Sequence, residues 1–63
     1  MTYAEAIKLL REKMVLSQSD LAKELGVSFA SVNRWERGRY QPTFAIKRKL
    51  IPYFKKYKIK VGE

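Results

Sequence analysis

The stretch Leu16–Pro42, LSQSDLAKELGVSFASVNRWERGRYQP, decides the fold. Ser17 is a suitable N-cap for a short helix, and Asp20 follows where a negative charge favours the positive end of the helix dipole. Apolar residues then recur at helical spacing, at Leu21, Ala22 and Leu25. Gly26 ends this helix, because glycine accepts the left-handed conformation that closes a helix.

A second short helix follows at once. Ser28 is its N-cap candidate, and the spacing predicts a helix over about residues 29–37 with Val32 and Trp35 facing inward. Small Ala22 lies where the two helices must approach each other closely. Two short helices joined by a tight turn at Gly26 specify a helix-turn-helix over about residues 17–37.

Further helices flank this unit. Thr2 and Glu5 form a capping box, which predicts a helix over about residues 3–14. Thr43 is a cap for a fourth helix. Pro52 must either kink that helix or begin a fifth one after a break near Leu50, and we favour the break. The expected fold is all-α, a compact bundle of four to five short helices.

The last residues alternate apolar and basic side chains over 57–61, as a strand does. An isolated strand has nothing to pair with. We therefore expect a basic tail, about residues 58–63, that frays, with pairing to a second chain as the alternative.

Length and composition narrow the function. Sixty-three residues suit one domain, expected over 1–63. The sequence has no cysteine and no histidine, which removes disulfides, thiolate or imidazole metal sites and histidine-dependent catalysis. A small helical chain also has little room for a pocket that tunes carboxylates. We expect no enzyme activity and no catalytic residue, metal, cofactor or small-molecule ligand.

Charge is distributed unevenly. Residues 1–36 hold five basic and five acidic side chains, whereas residues 37–63 hold nine basic side chains and one acidic one, within a net charge of +8. Such a basic block attracts a polyanion, either nucleic acid or an anionic membrane surface. No apolar run approaches the length of about 20 residues that spans a bilayer, and the first residues lack the charged-then-apolar pattern typical of a secretory signal. A soluble cytoplasmic protein, nucleoid-associated and of prokaryotic or phage origin, is expected.

Residues 16–28, LSQSDLAKELGVS, followed by Val32, Trp35-Glu36, Gly38 and Pro42, resemble the Cro/C1-type (XRE-family) helix-turn-helix. The resemblance covers residues 3 to about 50. Pro52 and the lysine-rich tail lie beyond it. It implies a lambda-repressor-like bundle whose third helix reads double-stranded DNA, commonly as a homodimer on a near-palindromic operator.

The base-reading candidates lie on the outward face of the third helix, at Phe29, Ala30, Asn33 and Arg34. The planar guanidinium group of Arg34 can donate two hydrogen bonds to O6 and N7 of guanine, although it could also contact phosphate alone. Asn33 can form two hydrogen bonds with adenine, or it can contact only the DNA backbone. Phe29 and Ala30 can read only a thymine methyl group or groove shape. The alternative for Phe29 is packing against the second helix.

The candidates for contact with the DNA backbone are Ser17, Gln18, Ser28, Ser31, Arg37, Arg39, Tyr40 and Gln41. The resemblance implies that Gln18 grips a phosphate and that the loop over 37–41 meets the backbone. Residues 47–49 are three consecutive basic residues. At most two of them should reach DNA, because a helix cannot aim three consecutive side chains at one surface. The resemblance also implies a structural ion pair between Arg11 and Glu36.

Sequence-specific binding of double-stranded DNA by a transcriptional repressor is the expected function. The first alternative is an antitoxin-like module that binds a protein partner on the same fold. The second is non-specific nucleic-acid binding through the basic half, which predicts a steep salt dependence with no base preference. The third, binding to a membrane surface through residues 44–60, needs one clean apolar face and is not favoured.

Overall fold

A computed structural model describes residues 1–62, and within them it contains four α-helices and no strand. They are α1 (Tyr3–Met14), α2 (Gln18–Leu25), α3 (Phe29–Glu36) and α4 (Phe44–Lys56). The expected all-α bundle with a helix-turn-helix is confirmed. Each helix begins at a cap whose side-chain oxygen accepts a backbone N–H of the first turn, at Thr2, Ser17, Ser28 and Thr43.

The turn between α2 and α3 depends on glycine. Gly26 has φ of 73°, in the left-handed region, and its N–H donates to the carbonyl of Lys23 at 3.2 Å. The N–H of Val27 donates to the carbonyl of Ala22 at 2.9 Å. These bonds satisfy the last carbonyls of α2 and turn the chain directly into α3.

Apolar residues from all four helices, and one from the tail, form a single core: Ala6, Ile7, Leu10, Leu21, Ala22, Leu25, Val32, Trp35, Leu50, Phe54 and Ile59. Val32 and Trp35 are the buried residues of α3. Burying this inner face fixes the rotation of α3, so its opposite face points into solvent.

The break favoured at Pro52 is wrong, because α4 runs through this residue as one helix. Leu50 and Phe54 lie four residues apart, on one side of the helix, and both are buried. Pro52 and Arg48 are exposed. The carbonyl of Arg48 loses its usual partner because proline has no N–H, and the burial of Leu50 and Phe54 holds the helix together across this gap.

The expectation that the tail frays is also wrong for the described residues. Lys58 has φ of 57° and turns the chain after α4, and the N–H of Ile59 donates to the carbonyl of Phe54 at 2.8 Å. Ile59 is buried in the core, and the N–H of Gly62 donates to the carbonyl of Met1 at 2.9 Å. The alternation of the tail thus buries an apolar residue against the bundle. Glu63, the last residue of the predicted tail, lies outside the described residues.

Candidate nucleic-acid interface

The exposed face of α3 and the loop after it form one concave surface, which we call the α3 surface. It is lined by Phe29, Ala30, Asn33, Arg34, Arg37, Arg39 and Tyr40. All four predicted base-reading residues therefore lie together with three of the predicted backbone-contacting residues. Phe29 is 52% exposed, so it projects into solvent.

Arg34 and Tyr40 contact each other on this surface. The Cζ atom of Arg34 lies 5.8 Å from the centroid of the Tyr40 ring. Tyr40 is itself 64% exposed. A guanidinium over an aromatic face is held by a cation–π attraction, which restricts the rotamers of a long side chain. The Arg34 guanidinium thus lies beside Tyr40, and it has no acidic partner within ion-pair distance among residues 1–62.

An ion pair joins α1 to the last residue of α3. Arg11 Nε donates to Glu36 Oε2 at 2.7 Å, and Arg11 Nη2 donates to Glu36 Oε1 at 2.9 Å. Arg11 Nη1 also donates to the carbonyl of Leu16 at 3.2 Å, which ties the pair to the chain between α1 and α2. The bidentate geometry is the strong form of such a pair.

The surroundings of Glu36 determine its charge. Burial raises the pKa of Glu36, but the hydrogen bonds from Arg11 and Gln18 act in the opposite direction, and together they hold that pKa below its ordinary value. The hydrogen bond to Glu36 in turn raises the pKa of Arg11. Both groups are therefore charged at neutral pH.

Gln18 connects this ion pair to the α3 surface. Its Nε2 donates to Glu36 Oε1 at 3.1 Å, and its Oε1 accepts from Asn33 Nδ2 at 3.1 Å. The sequence suggested separate roles for Gln18 and Asn33 and missed the hydrogen bond between them. The spacing of residues along the chain carries no signal for it, because two helices must first be packed together.

The serine candidates are engaged in helix capping. Ser17 Oγ accepts from the N–H of Asp20 at 3.1 Å, and Ser28 Oγ accepts from the N–H of Ser31 at 3.2 Å. The Ser28 and Ser31 hydroxyls lie 3.1 Å apart and share a hydrogen bond. The backbone N–H and side chain of Ser17 hold the pKa of Asp20 below its ordinary value. These serines lie at the start of α2 and of α3.

Gln41, another backbone candidate, does not line the α3 surface. Its Oε1 accepts from Lys47 Nζ at 3.0 Å. With Trp35, Gly38 and Tyr40 it lines a neighbouring depression whose other wall is the start of α1. Tyr40 lines both this depression and the α3 surface, so residues of the loop over 37–41 contribute to both concavities.

Other features of residues 1–62 bear on the class of site. No three of their histidine, cysteine, aspartate or glutamate side chains cluster in a way that could hold a metal ion. None of the described helices has the length and apolar character needed to cross a membrane.

Comparison with known proteins gives two matches. A helix-turn-helix family model matches residues 7–51. The chain is similar to the HTH-type transcriptional regulator DicA of Escherichia coli (strain K12), with 42% identity over 43 residues, which cover 68% of this chain and 32% of that protein. The chain thus spans about a third of the length of this relative. No solved structure gives a significant match.

Proposed function

Because the chain belongs to the Cro/C1-type helix-turn-helix family of DNA-binding transcription regulators, we propose that it binds double-stranded DNA sequence-specifically as a repressor. In this proposal α3 enters the major groove and reads base edges. The observation that carries it is the α3 surface, where four candidate base-reading side chains project beside the arginines and tyrosine of one loop.

Each base-reading residue contributes a different chemistry. Arg34 donates to O6 and N7 of guanine with its planar fork, and Tyr40 restricts the directions that this fork can take. Asn33 offers the amide that pairs with adenine. Phe29 and Ala30 have no hydrogen-bonding side-chain groups and contact a thymine methyl group or the groove wall.

Backbone contacts position this helix. Gln18 is the first residue of α2, where N–H groups lack intrahelical acceptors and the helix dipole favours an anion. Since its side chain bonds Glu36 and Asn33, we assign the phosphate contact to its N–H. The remaining phosphate contacts fall to hydroxyl, amide, phenol and guanidinium groups, on Ser17, Ser28, Ser31, Arg37, Arg39, Tyr40 and Gln41.

Two copies are needed for useful specificity. A single module of this size buries about 600–1,000 Å² on DNA, and a homodimer on half-sites about 34 Å apart would double that contact. Phe44 is 74% exposed and Ile51 is 47% exposed, and they lie two turns apart along α4. We assign the dimer contact to this side of α4, which predicts a near-palindromic operator. Action in the cytoplasm, on the nucleoid, is part of the same proposal.

One observation favours a second candidate. Phe29 and Tyr40 are both large, exposed and on the α3 surface. Exposed aromatic residues in one patch also suit a protein partner. An antitoxin-like module that binds protein through this surface is therefore the alternative.

Selection of bound sequences from random duplexes, at low and moderate salt, tests the proposal. We expect a palindromic site that survives moderate salt, and we expect Arg34→Ala to lose the preference for guanine at one position in each half-site. Lys13→Ala is the control, since Lys13 is exposed on α1 and does not line the α3 surface. It should leave base preference unchanged. Recovery of no motif, with affinity that collapses as salt rises, would reject specific reading and favour non-specific nucleic-acid binding. Absence of binding to any duplex would favour the partner-binding alternative.

A further inference from the structure

Four polar side chains form a hydrogen-bonded chain from α1 to the α3 surface, which we call the amide relay. It runs from Arg11 to Glu36, from Glu36 to Gln18 and from Gln18 to Asn33. The ion-paired end is largely shielded from water, since the Arg11 side chain is 19% exposed and the Glu36 side chain 6% exposed. The last residue, Asn33, lines the α3 surface beside Arg34.

The chemistry of the relay permits one direction only. An ionised carboxylate accepts hydrogen bonds and donates none. The Gln18 amide must therefore turn its Nε2 toward Glu36, which leaves Oε1 as the atom that faces Asn33. Because Oε1 is an acceptor, Asn33 must turn its own Nδ2 toward Gln18. The charge of Glu36 thus selects one of the two orientations of each amide.

We propose that Glu36, acting through Gln18, fixes the amide orientation of Asn33 and so makes this residue select adenine over guanine. The inference rests on the proposed function of α3. In the fixed orientation Asn33 keeps its carbonyl Oδ1 and one N–H for a base edge, and that pair matches N6 and N7 of adenine. In the reversed orientation the amide would present donors alone, which suit O6 and N7 of guanine. Glu36 and Gln18 are positioning residues in this scheme.

Two substitutions of Gln18 test the relay from opposite directions. Gln18→Met removes the acceptor for Asn33 and leaves the Arg11–Glu36 pair in place. Gln18→Lys supplies an ammonium group that donates to Glu36 and also to Asn33, so it reverses the last bond of the relay. A merely structural role for Gln18 would not exchange one preferred base for another.

The first readout is affinity for a set of operators that differ only at the Asn33 position. The unchanged protein should prefer adenine over guanine by about tenfold, the effect of one good bidentate contact. Gln18→Met should reduce this preference to less than about twofold. Gln18→Lys should prefer guanine. Gln41→Met and Gln41→Lys are the matched controls, because Gln41 bonds Lys47 and lies outside the relay, and they should change affinity for all operators equally.

The second readout needs no DNA. In nitrogen-15 spectra the side-chain amide protons of Asn33 and Gln18 should exchange slowly with water in the unchanged protein. Gln18→Met should remove the protection at Asn33 while the fold, followed by backbone amide signals, is kept.

The outcomes separate the two proposals. An adenine preference that survives Gln18→Met, or unprotected Asn33 protons in the unchanged protein, would overturn the relay and leave sequence-specific binding intact. An unchanged protein with no base preference at any position would reject the proposed function, and the role of Asn33 with it. A preference that moves from adenine to guanine in Gln18→Lys but not in Gln41→Lys would establish the relay.

Discussion

Residues 1–36 carry five basic and five acidic side chains, whereas residues 37–62 carry nine basic side chains and no acidic one. Three of the five acids in this amino-terminal half stabilise the fold: Glu5 and Asp20 complete capping boxes, and Glu36 pairs with Arg11. In the carboxyl-terminal half, Lys47 and Lys49 bond neutral oxygens of Gln41 and Leu25. The Arg11–Glu36 ion pair is the single one among residues 1–62.

The difference teaches how a short chain can be both stable and strongly basic. In the amino-terminal half, basic and acidic side chains are equal in number, and the Arg11–Glu36 pair joins α1 to α3. Charges of the carboxyl-terminal half have no acidic counterpart among residues 37–62, so a polyanion can neutralise them without breaking an ion pair of the fold. The two halves should therefore respond differently to the same kind of substitution.

The largest expected effect breaks the ion pair of the amino-terminal half. Arg11→Met should lower the free energy of unfolding by about 2 kcal/mol, because it removes charged hydrogen bonds and leaves the Glu36 carboxylate with little access to water. Urea denaturation at neutral pH measures this loss. Lys13→Met is the matched control on the same helix, since Lys13 is exposed, and it should stay within about 0.5 kcal/mol of the unchanged protein. Equal losses in both variants would contradict a special role for the pair.

The difference in stability between the unchanged protein and Arg11→Met should depend on pH. The pKa of Glu36 is lowered in the folded protein, so its ionised form stabilises the fold above the ordinary glutamate value of about 4.3, and this contribution is lost as pH falls through the folded pKa. Without Arg11, burial favours the protonated carboxyl. The stability gap between the unchanged protein and Arg11→Met should therefore narrow from pH 7 towards pH 3. A gap that stays constant over this range would show that Arg11 acts through packing alone.

Much of the fold could be predicted from the sequence, because local rules agree with one another in the amino-terminal half. The caps at Thr2, Ser17 and Ser28 and the stop at Gly26 each follow from residues within one turn of the helix end. The structure around Pro52 and Ile59 could not be predicted from neighbouring residues alone. Their structure depends on contacts of α4 and of the tail with the core, and neither contact has a local signature.

The candidate site divides in the same way. The outward face of α3 follows from the positions of Val32 and Trp35, so Arg34 could be assigned to it by helical geometry. For Phe29 the sequence left packing against α2 open, and the structure shows it exposed. The hydrogen bond from Asn33 to Gln18 could not be predicted, because it joins two helices whose packing is fixed by other residues. The contact between Arg34 and Tyr40 depends likewise on the path of the loop over 37–41.

A smaller effect tests the carboxyl-terminal half on DNA. Arg39→Gln should reduce the dependence of log K on log salt by about 0.9, the value expected for one lost phosphate contact, and leave stability unchanged. Fluorescence anisotropy over a salt series measures the slope. Lys13→Gln makes the same charge change in the amino-terminal half and should leave the slope as it is. If both substitutions reduce the slope equally, the division of charge between the two halves has no bearing on binding.

The smallest effect compares the two non-glycine residues with positive φ among residues 1–62, one in each half: Val15 at 56° and Lys58 at 57°. Val15 ends α1 with the same bonds that Gly26 makes after α2, but its branched side chain is 87% exposed and gains nothing there. Val15→Gly should raise the free energy of unfolding by about 1 kcal/mol, and Lys58→Gly by about half as much, since lysine is not branched at Cβ. Urea denaturation measures both. The two variants should also differ in the dependence of log K for DNA on log salt. Lys58→Gly should reduce this slope, because only that substitution removes a cation from the carboxyl-terminal half. A reduced salt slope in Val15→Gly would contradict that separation.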